Sequence, residues 1–180
     1  TEVWEHQNIA GKLRMVGMVG AVARCLPKMR REGADLVLVL AHCGIGPPDA
    51  GDEAENAALS IARLDGVDAI VMGHAHLAFP GPAYSTEGEV DANIGTLAGK
   101  PAVMAGVYGS HIGIIDFTLE RADGRWQISN HRSEARAVAP NTLLGSGAVT
   151  PREDPEIARL STASHEATLH WARKPIGLIG

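Results

Sequence analysis

The chain has 180 residues, 45% of them apolar, and a formal net charge of −5, with a mean hydropathy near zero. That length and composition suit one packed domain and are those of a globular chain, not a disordered one. A net negative charge, few aromatics and no basic stripe argue against a nucleic-acid duplex or a membrane surface as partner, and no apolar run approaches the ~20 residues of a membrane span.

The chain opens on Thr1, with no initiator methionine and no charged-then-apolar leader. It reads as a segment excised from a longer protein, so the missing leader leaves the compartment open. The two cysteines, Cys25 and Cys43, are too few for a disulfide framework and read as buried free thiols.

In chain order, Met18, Val22, Leu26 and Met29 have helical spacing and predict a helix over residues 18–31. Gly33 stops it. Residues 35–41, Asp-Leu-Val-Leu-Val-Leu-Ala, form a continuous apolar run, which suits a strand buried on both faces in a parallel sheet. A Gly, Pro and Asp-rich loop follows. Residues 52–64 read as a second helix, with Asp52, Glu53 and Glu55 in the first turn, where the helix dipole favours carboxylates. Residues 68–72, Asp-Ala-Ile-Val-Met, make a second buried strand. The order strand, helix, strand predicts a parallel pair with a right-handed crossover.

Residues 79–100 are turn-rich. Residues 101–107 and 111–119 predict further strands, and Gly124 turns the chain into a hairpin partner over 125–131. These are expected to form a second sheet. Residues 138–149 are a loose boundary stretch. Thr150-Pro-Arg-Glu153 has the form of a capping box with proline at the first helical position. It would open a helix with Ile157, Leu160, Ala167 and Trp171 on one face.

Three histidines stand out by position. His42 directly follows the first strand, and His74 and His76 follow the second, in Gly73-His-Ala-His76. Ligands of open α/β sheets bind off the carboxyl ends of the strands. An i, i+2 pair on extended chain points both rings to one side, and Gly73 allows the backbone to bend there. The three imidazoles can surround one metal ion, or divide between two ions about 3.5–4 Å apart. A single histidine after a buried strand is more often a hydrogen-bonded edge residue, so the weight rests on two strand-end signals in one βαβ unit. Cys43 points opposite to His42 and reads as packing. Asn56, at a helix start, reads as locally bonded. His111 reads as a partner of a backbone group, and His6, His131, His165 and His170 carry no assigned role.

Residues 33–45, Gly-Ala-Asp-Leu-Val-Leu-Val-Leu-Ala-His-Cys-Gly-Ile, resemble the strand and histidine loop of the 5′-nucleotidase-like, calcineurin-type metallophosphatases. Glu55-Asn-Ala-Ala and Val67-Asp-Ala-Ile-Val-Met-Gly-His-Ala-His76 resemble their helix and Gly-His-x-His motif. Phe79-Pro-Gly81, the stretch 99–113, and Trp4 followed by Gly11-Lys12 are most similar to the bacterial 2′,3′-cyclic-nucleotide 2′-phosphodiesterase/3′-nucleotidase branch.

The resemblance implies an α/β fold, part of a four-layer αββα sandwich with a parallel βαβ core and additional strands. It implies that residues 1–149 are the C-terminal half of the metallophosphatase domain. Residues 150–180 would be a linker helix leading toward a nucleotide-binding domain that is not present. His42 and His74 match the ligands of one metal site, and His76 matches the other. The complete enzyme would hold two divalent ions of the zinc, manganese or cobalt class and hydrolyse 2′,3′-cyclic nucleotides and 3′-nucleotides in the periplasm or at the cell surface. The family's bridging aspartate, its Asp-x-His and its Gly-Asn-His motifs do not occur here. No catalytic residue is therefore assigned, no substrate-binding residue is named, and the chain alone is expected to be inert. The rival readings are a 5′-nucleotidase or UDP-sugar hydrolase, a self-sufficient three-histidine zinc site, and a non-catalytic domain that keeps the fold.

Overall fold

The computed structural model describes residues 2–51, 54–138, 152–175 and 177. The chain divides into two compact units, residues 1–138 and 139–180. The first begins with helix α1 (Glu2–Ile9), which the sequence reading did not foresee. Its residues lack the apolar spacing that marks an amphipathic helix.

Helix α2 (Met18–Arg31) has the predicted limits and runs on through Pro27, although proline removes one amide from the ladder. Leu26 is buried, and Met18, Val19 and Val22 pack beside it against the core. Met29 and Cys25 lie on the outer side and are exposed. Cys25 is thus not the buried thiol the sequence suggested: Leu26, its neighbour, takes the inward position. Gly33, at φ +95°, ends the helix. Its amide donates to the Arg30 carbonyl at 3.2 Å, and the next amide, of Ala34, reaches back to Met29 at 3.0 Å. A residue with a Cβ adopts that backbone at a cost.

Strand β1 (Leu38–Ala41) starts later than the apolar run, where side chains take the Asp35 carbonyl and the Val37 amide. The Arg30 guanidinium donates to the carbonyls of Ala34, Asp35 and Gly66 and to Asp68 Oδ2 at 2.8 Å. Asp68 Oδ2 also accepts the Val37 amide at 2.7 Å. Helix α3 (Ala58–Ala62) is shorter than residues 52–64. Asp52 and Glu53 lie outside the described residues, and residues 54–57 are not helical. Strand β2 (Ala69–Met72) pairs parallel with β1, Leu38 opposite Ala69 through Ala41 opposite Met72, as expected.

Short strands β3 (Ala78–Phe79), β4 (Val90–Asp91) and β5 (Thr96–Leu97) interrupt the turn-rich region, and β6 (Lys100–Ala105) follows. Contrary to expectation, β6 does not begin a second sheet. It pairs parallel with β2, giving the order β1-β2-β6-β5-β4, with β3 also on β6. Residues 101–104, Pro-Ala-Val-Met, are all buried, which suits a central parallel strand. Among the described residues the second sheet is the hairpin of β7 (His111–Ala122) and β8 (Arg125–Ala137).

The core lies between helices α2 and α3 and the six-stranded sheet. It contains Leu59, Ile61, Ile70, Phe79, Leu97 and Met104. Apolar burial of this kind contributes roughly 25 cal/mol per Å². On the other face Val103 is covered by β7, where a Cβ on Gly113 would come within 3.0 Å of its methyl group. Leu40, Val71 and Val103 form one register row across the sheet. The hairpin covers only one end of that row: Val103 is buried, whereas Leu40 is 76% and Leu38 48% exposed. Strand β1 is therefore an edge strand with one bare apolar face, not a strand buried on both faces.

In the second unit, helix α4 (Pro155–Ala172) starts later than the capping box predicts. Thr150 and Pro151 lie outside the described residues. Asp154 is the cap instead, and its Oδ1 accepts the amides of Glu156 at 2.8 Å and Ile157 at 3.2 Å. Ile157, Leu160 and Trp171 are exposed. Among the described residues no helix is long and apolar enough to cross a membrane.

Candidate functional site

Two loops leave the carboxyl ends of β1 and β2 side by side. The first carries His42, Cys43 and Gly44; the second carries Gly73, His74, Ala75 and His76. They are tied directly, the Gly73 amide donating to the Cys43 carbonyl at 3.2 Å. The first loop is also strapped to α3. Its Gly44 and Ile45 carbonyls accept the amides of Ala58 and Leu59 at 3.1 and 3.0 Å, and these contacts replace a side-chain cap at the start of α3.

This frame brings His42 and His74 together. Their ring centroids are 5.3 Å apart and the planes cross at 68°. The ring of His76 lies beside Tyr108, with centroids 6.2 Å apart. The reason is local backbone. Residues 74 and 76 do not sit on extended chain: His74 has φ +65° and His76 φ +59°. The bend falls on the histidines themselves rather than on Gly73, and the loop is tightened by the Ala75 amide donating to the Gly73 carbonyl at 2.7 Å. Among the described residues no group of three or more His, Cys, Asp or Glu side chains converges as a metal cage.

Behind the pair, His74 Nε2 lies 3.1 Å from Glu55 Oε1. With that nitrogen donating to the carboxylate, Nδ1 of His74 is left as the free lone pair. Cys43 is buried. Burial pushes its thiol above the usual range, and the backbone hydrogen bond from Ala57 offsets this only in part. Its side chain is part of the apolar core, which marks Cys43 as packing. His111 Nδ1 shares a contact of 2.9 Å with its neighbour Ser110 Oγ, a side-chain partner rather than a backbone one.

No family model matches the sequence. The chain is 36% identical over 175 residues to the 2′,3′-cyclic-nucleotide 2′-phosphodiesterase/3′-nucleotidase of Salmonella typhimurium, covering 97% of this chain and 27% of that protein. It is 34% identical, over the same 97%, to 11% of the trifunctional nucleotide phosphoesterase YfkN of Bacillus subtilis. The chain thus spans about a quarter of the first relative's length and less of the second. Its fold superposes on the crystal structure of the calcineurin-like phosphoesterase YfkN with a TM-score of 0.86 at 31% identity, covering 96% of this chain and 50% of the solved one.

Over nearly its whole length the chain is similar to part of a calcineurin-like phosphoesterase.

Two contacts of the site have no periodic signature in the sequence. Glu55 lies ahead of α3, not in a helical first turn, and meets His74. Asn56 is not locally bonded: its Oδ1 accepts the Gly44 amide at 2.7 Å, twelve residues away. Both fall in the Glu55-Asn-Ala-Ala stretch that carried part of the resemblance, and that was the only signal for them.

Proposed function

We propose that this chain is part of a two-metal hydrolase of nucleotide phosphoesters, acting on 2′,3′-cyclic nucleotides and 3′-nucleotides, and that it supplies three of the metal-ligating histidines. The observation that carries this reading is the approach of His42 and His74, 5.3 Å between ring centroids, at the carboxyl ends of neighbouring parallel strands, in a chain with nucleotide phosphoesterase relatives along nearly its whole length.

The donor set fits divalent cations of the zinc, manganese or cobalt class, for which imidazole nitrogen is a suitable ligand. His42 and His74 would serve one ion and His76 the other. When bound, the two cations lower the pKa of a water and neutralise phosphate oxygens. The chain's own part is to hold the imidazoles: Glu55 orients His74, while Asn56 and the Gly73–Cys43 hydrogen bond fix the loops on which they stand. Since the described residues hold no complete cage, the remaining ligands would come from outside this segment. In this reading residues 1–149 are the C-terminal half of the catalytic domain. Residues 150–180 lead toward a nucleotide-binding domain, and the whole protein works in the periplasm or at the cell surface.

A broader nucleotide phosphoesterase is the second reading, favoured by an identity of 34% to the trifunctional Bacillus protein, close to the 36% for the Salmonella one. Both readings are tested in the complete gene product by His42→Ala, His74→Ala and His76→Ala. Bound metal is measured by mass spectrometry, and turnover with 2′,3′-cyclic AMP, 3′-AMP and 5′-AMP. Each variant should lose metal and at least about 100-fold in turnover. Wild-type metal content and turnover in all three would overturn the assignment, and hydrolysis of 5′-AMP would select the broader range. The 180-residue chain alone should turn over none of these substrates.

A further inference from the structure

Beside His76, on the same edge of the sheet, Tyr108 stands 99% exposed. Its backbone lies in the left-handed region at φ +50°, which an aromatic residue enters only at a cost. The turn that holds it is fixed from several sides. Gly106 and Gly109 flank it at φ +71° and +70°, and the Gly106 amide donates to the Leu77 carbonyl at 3.1 Å. The Val107 amide donates to Ser110 Oγ at 3.1 Å, and the Ser110 amide to the Val107 carbonyl at 2.9 Å. A Cβ on Gly106 would lie 2.5 Å from Ser110 Oγ and 2.9 Å from His111 Nδ1, so the turn tolerates little change.

An apolar ring in water and a left-handed backbone are both unfavourable, and among the described residues the ring stands beside His76, at 6.2 Å and a 49° tilt. Backbone strain held in place by its surroundings is a mark of ligand-contacting positions. Strand β6, which leads into this turn, lies next to β2, which leads into His74 and His76. The ring therefore borders the space into which the strand ends open.

We propose that Tyr108 is a substrate-contact residue, whose ring packs against the ribose of a nucleotide while the phosphate lies at the histidines. The proposal rests on the phosphoesterase reading above and adds to it a source of affinity for the organic part of the substrate. A flat amphipathic ring suits a sugar face, offering apolar area at little conformational cost. Because the contact lies away from the reacting phosphorus, it should act mainly on binding and little on the chemical step.

The test uses the complete gene product with Tyr108→Phe, which keeps the ring, and Tyr108→Asn, which removes it but tolerates the left-handed backbone. The readouts are KM and kcat for 3′-AMP, the Ki of inorganic phosphate, bound metal and melting temperature. Tyr108→Asn should raise KM about 10-fold, with kcat within about 3-fold and phosphate Ki, metal content and melting temperature unchanged. Tyr108→Phe should resemble the wild type. An unchanged KM in Tyr108→Asn overturns the proposal. So does a parallel rise in phosphate Ki, or a fall in melting temperature showing that the ring packs against another part of the protein. If no phosphoester is turned over and His74→Ala keeps its metal, the phosphoesterase reading itself has failed. Tyr108 is then judged by calorimetric affinity for 3′-AMP, where equal binding by wild type and Tyr108→Asn sinks it.

Discussion

Asn56 Oδ1 accepts the Gly44 amide at 2.7 Å, and a Cβ on Gly44 would sit 2.7 Å from that same oxygen. The side chain therefore fits its partner only because residue 44 is glycine. Asn56→Ala leaves the Gly44 amide without its acceptor in a partly buried place, which costs about 1–3 kcal/mol. Gly44→Ala forces Asn56 aside and should cost a similar amount. Urea unfolding of each variant and of the double variant checks this. The two changes break one contact, so their costs should be far from additive; additive costs would mean that the contact does not couple the loop to α3.

Glu55 holds His74 through a contact of 3.1 Å, with the two side chains 56% and 31% exposed. A carboxylate behind a ligating histidine fixes the ring and the tautomer, and losing it lowers metal affinity 10–100-fold in typical sites. Given the exposure of Glu55, Glu55→Ala should fall near the low end, about 10-fold, and Glu55→Gln should keep part of the affinity. Metal titration of the stripped complete product is the measurement. Wild-type affinity in both variants would remove Glu55 from the site.

Leu40 and Leu38 present bare apolar surface on an edge strand. Such an edge invites pairing with other chains. The 180-residue chain by itself should self-associate at micromolar concentration, and Leu38→Ser with Leu40→Ser should reduce association without lowering the melting temperature. Sedimentation velocity decides it. Equal association before and after the change would place the sticky surface elsewhere.

Arg30 and Asp68 meet at 2.8 Å, each about a quarter exposed, and between them tie α2 to the entries of both parallel strands. Removing one partner leaves charged and backbone groups unsatisfied, costing about 1–3 kcal/mol after allowance for partial solvation. Asp68→Ala should be worse than Asp68→Asn, which can still accept the Val37 amide. A double-mutant cycle with Arg30→Met should give a coupling of about 1 kcal/mol. Zero coupling would mean that the pair is only adjacent.

The parallel pair β1–β2 and the placing of His42, His74 and His76 at its carboxyl end were legible in the sequence, because continuous apolar runs and helical spacing are local properties. So were the end of α2 at Gly33 and the hairpin turning at Gly124. Membership of β6 in the first sheet was not, because a run of buried residues does not name its neighbours. The exposed face of β1 was not legible either: the same leucines would be covered in a central strand. Within the site, the sequence supplied three histidines, while the left-handed backbone of residues 74 and 76 decided that one ring faces His42 and the other Tyr108. Asn56 found its partner twelve residues back, and Arg30 reached Asp68 across thirty-eight. Separations of that size carry no periodic signature. They are set when the strands and helices pack, and that packing makes the two loops one frame.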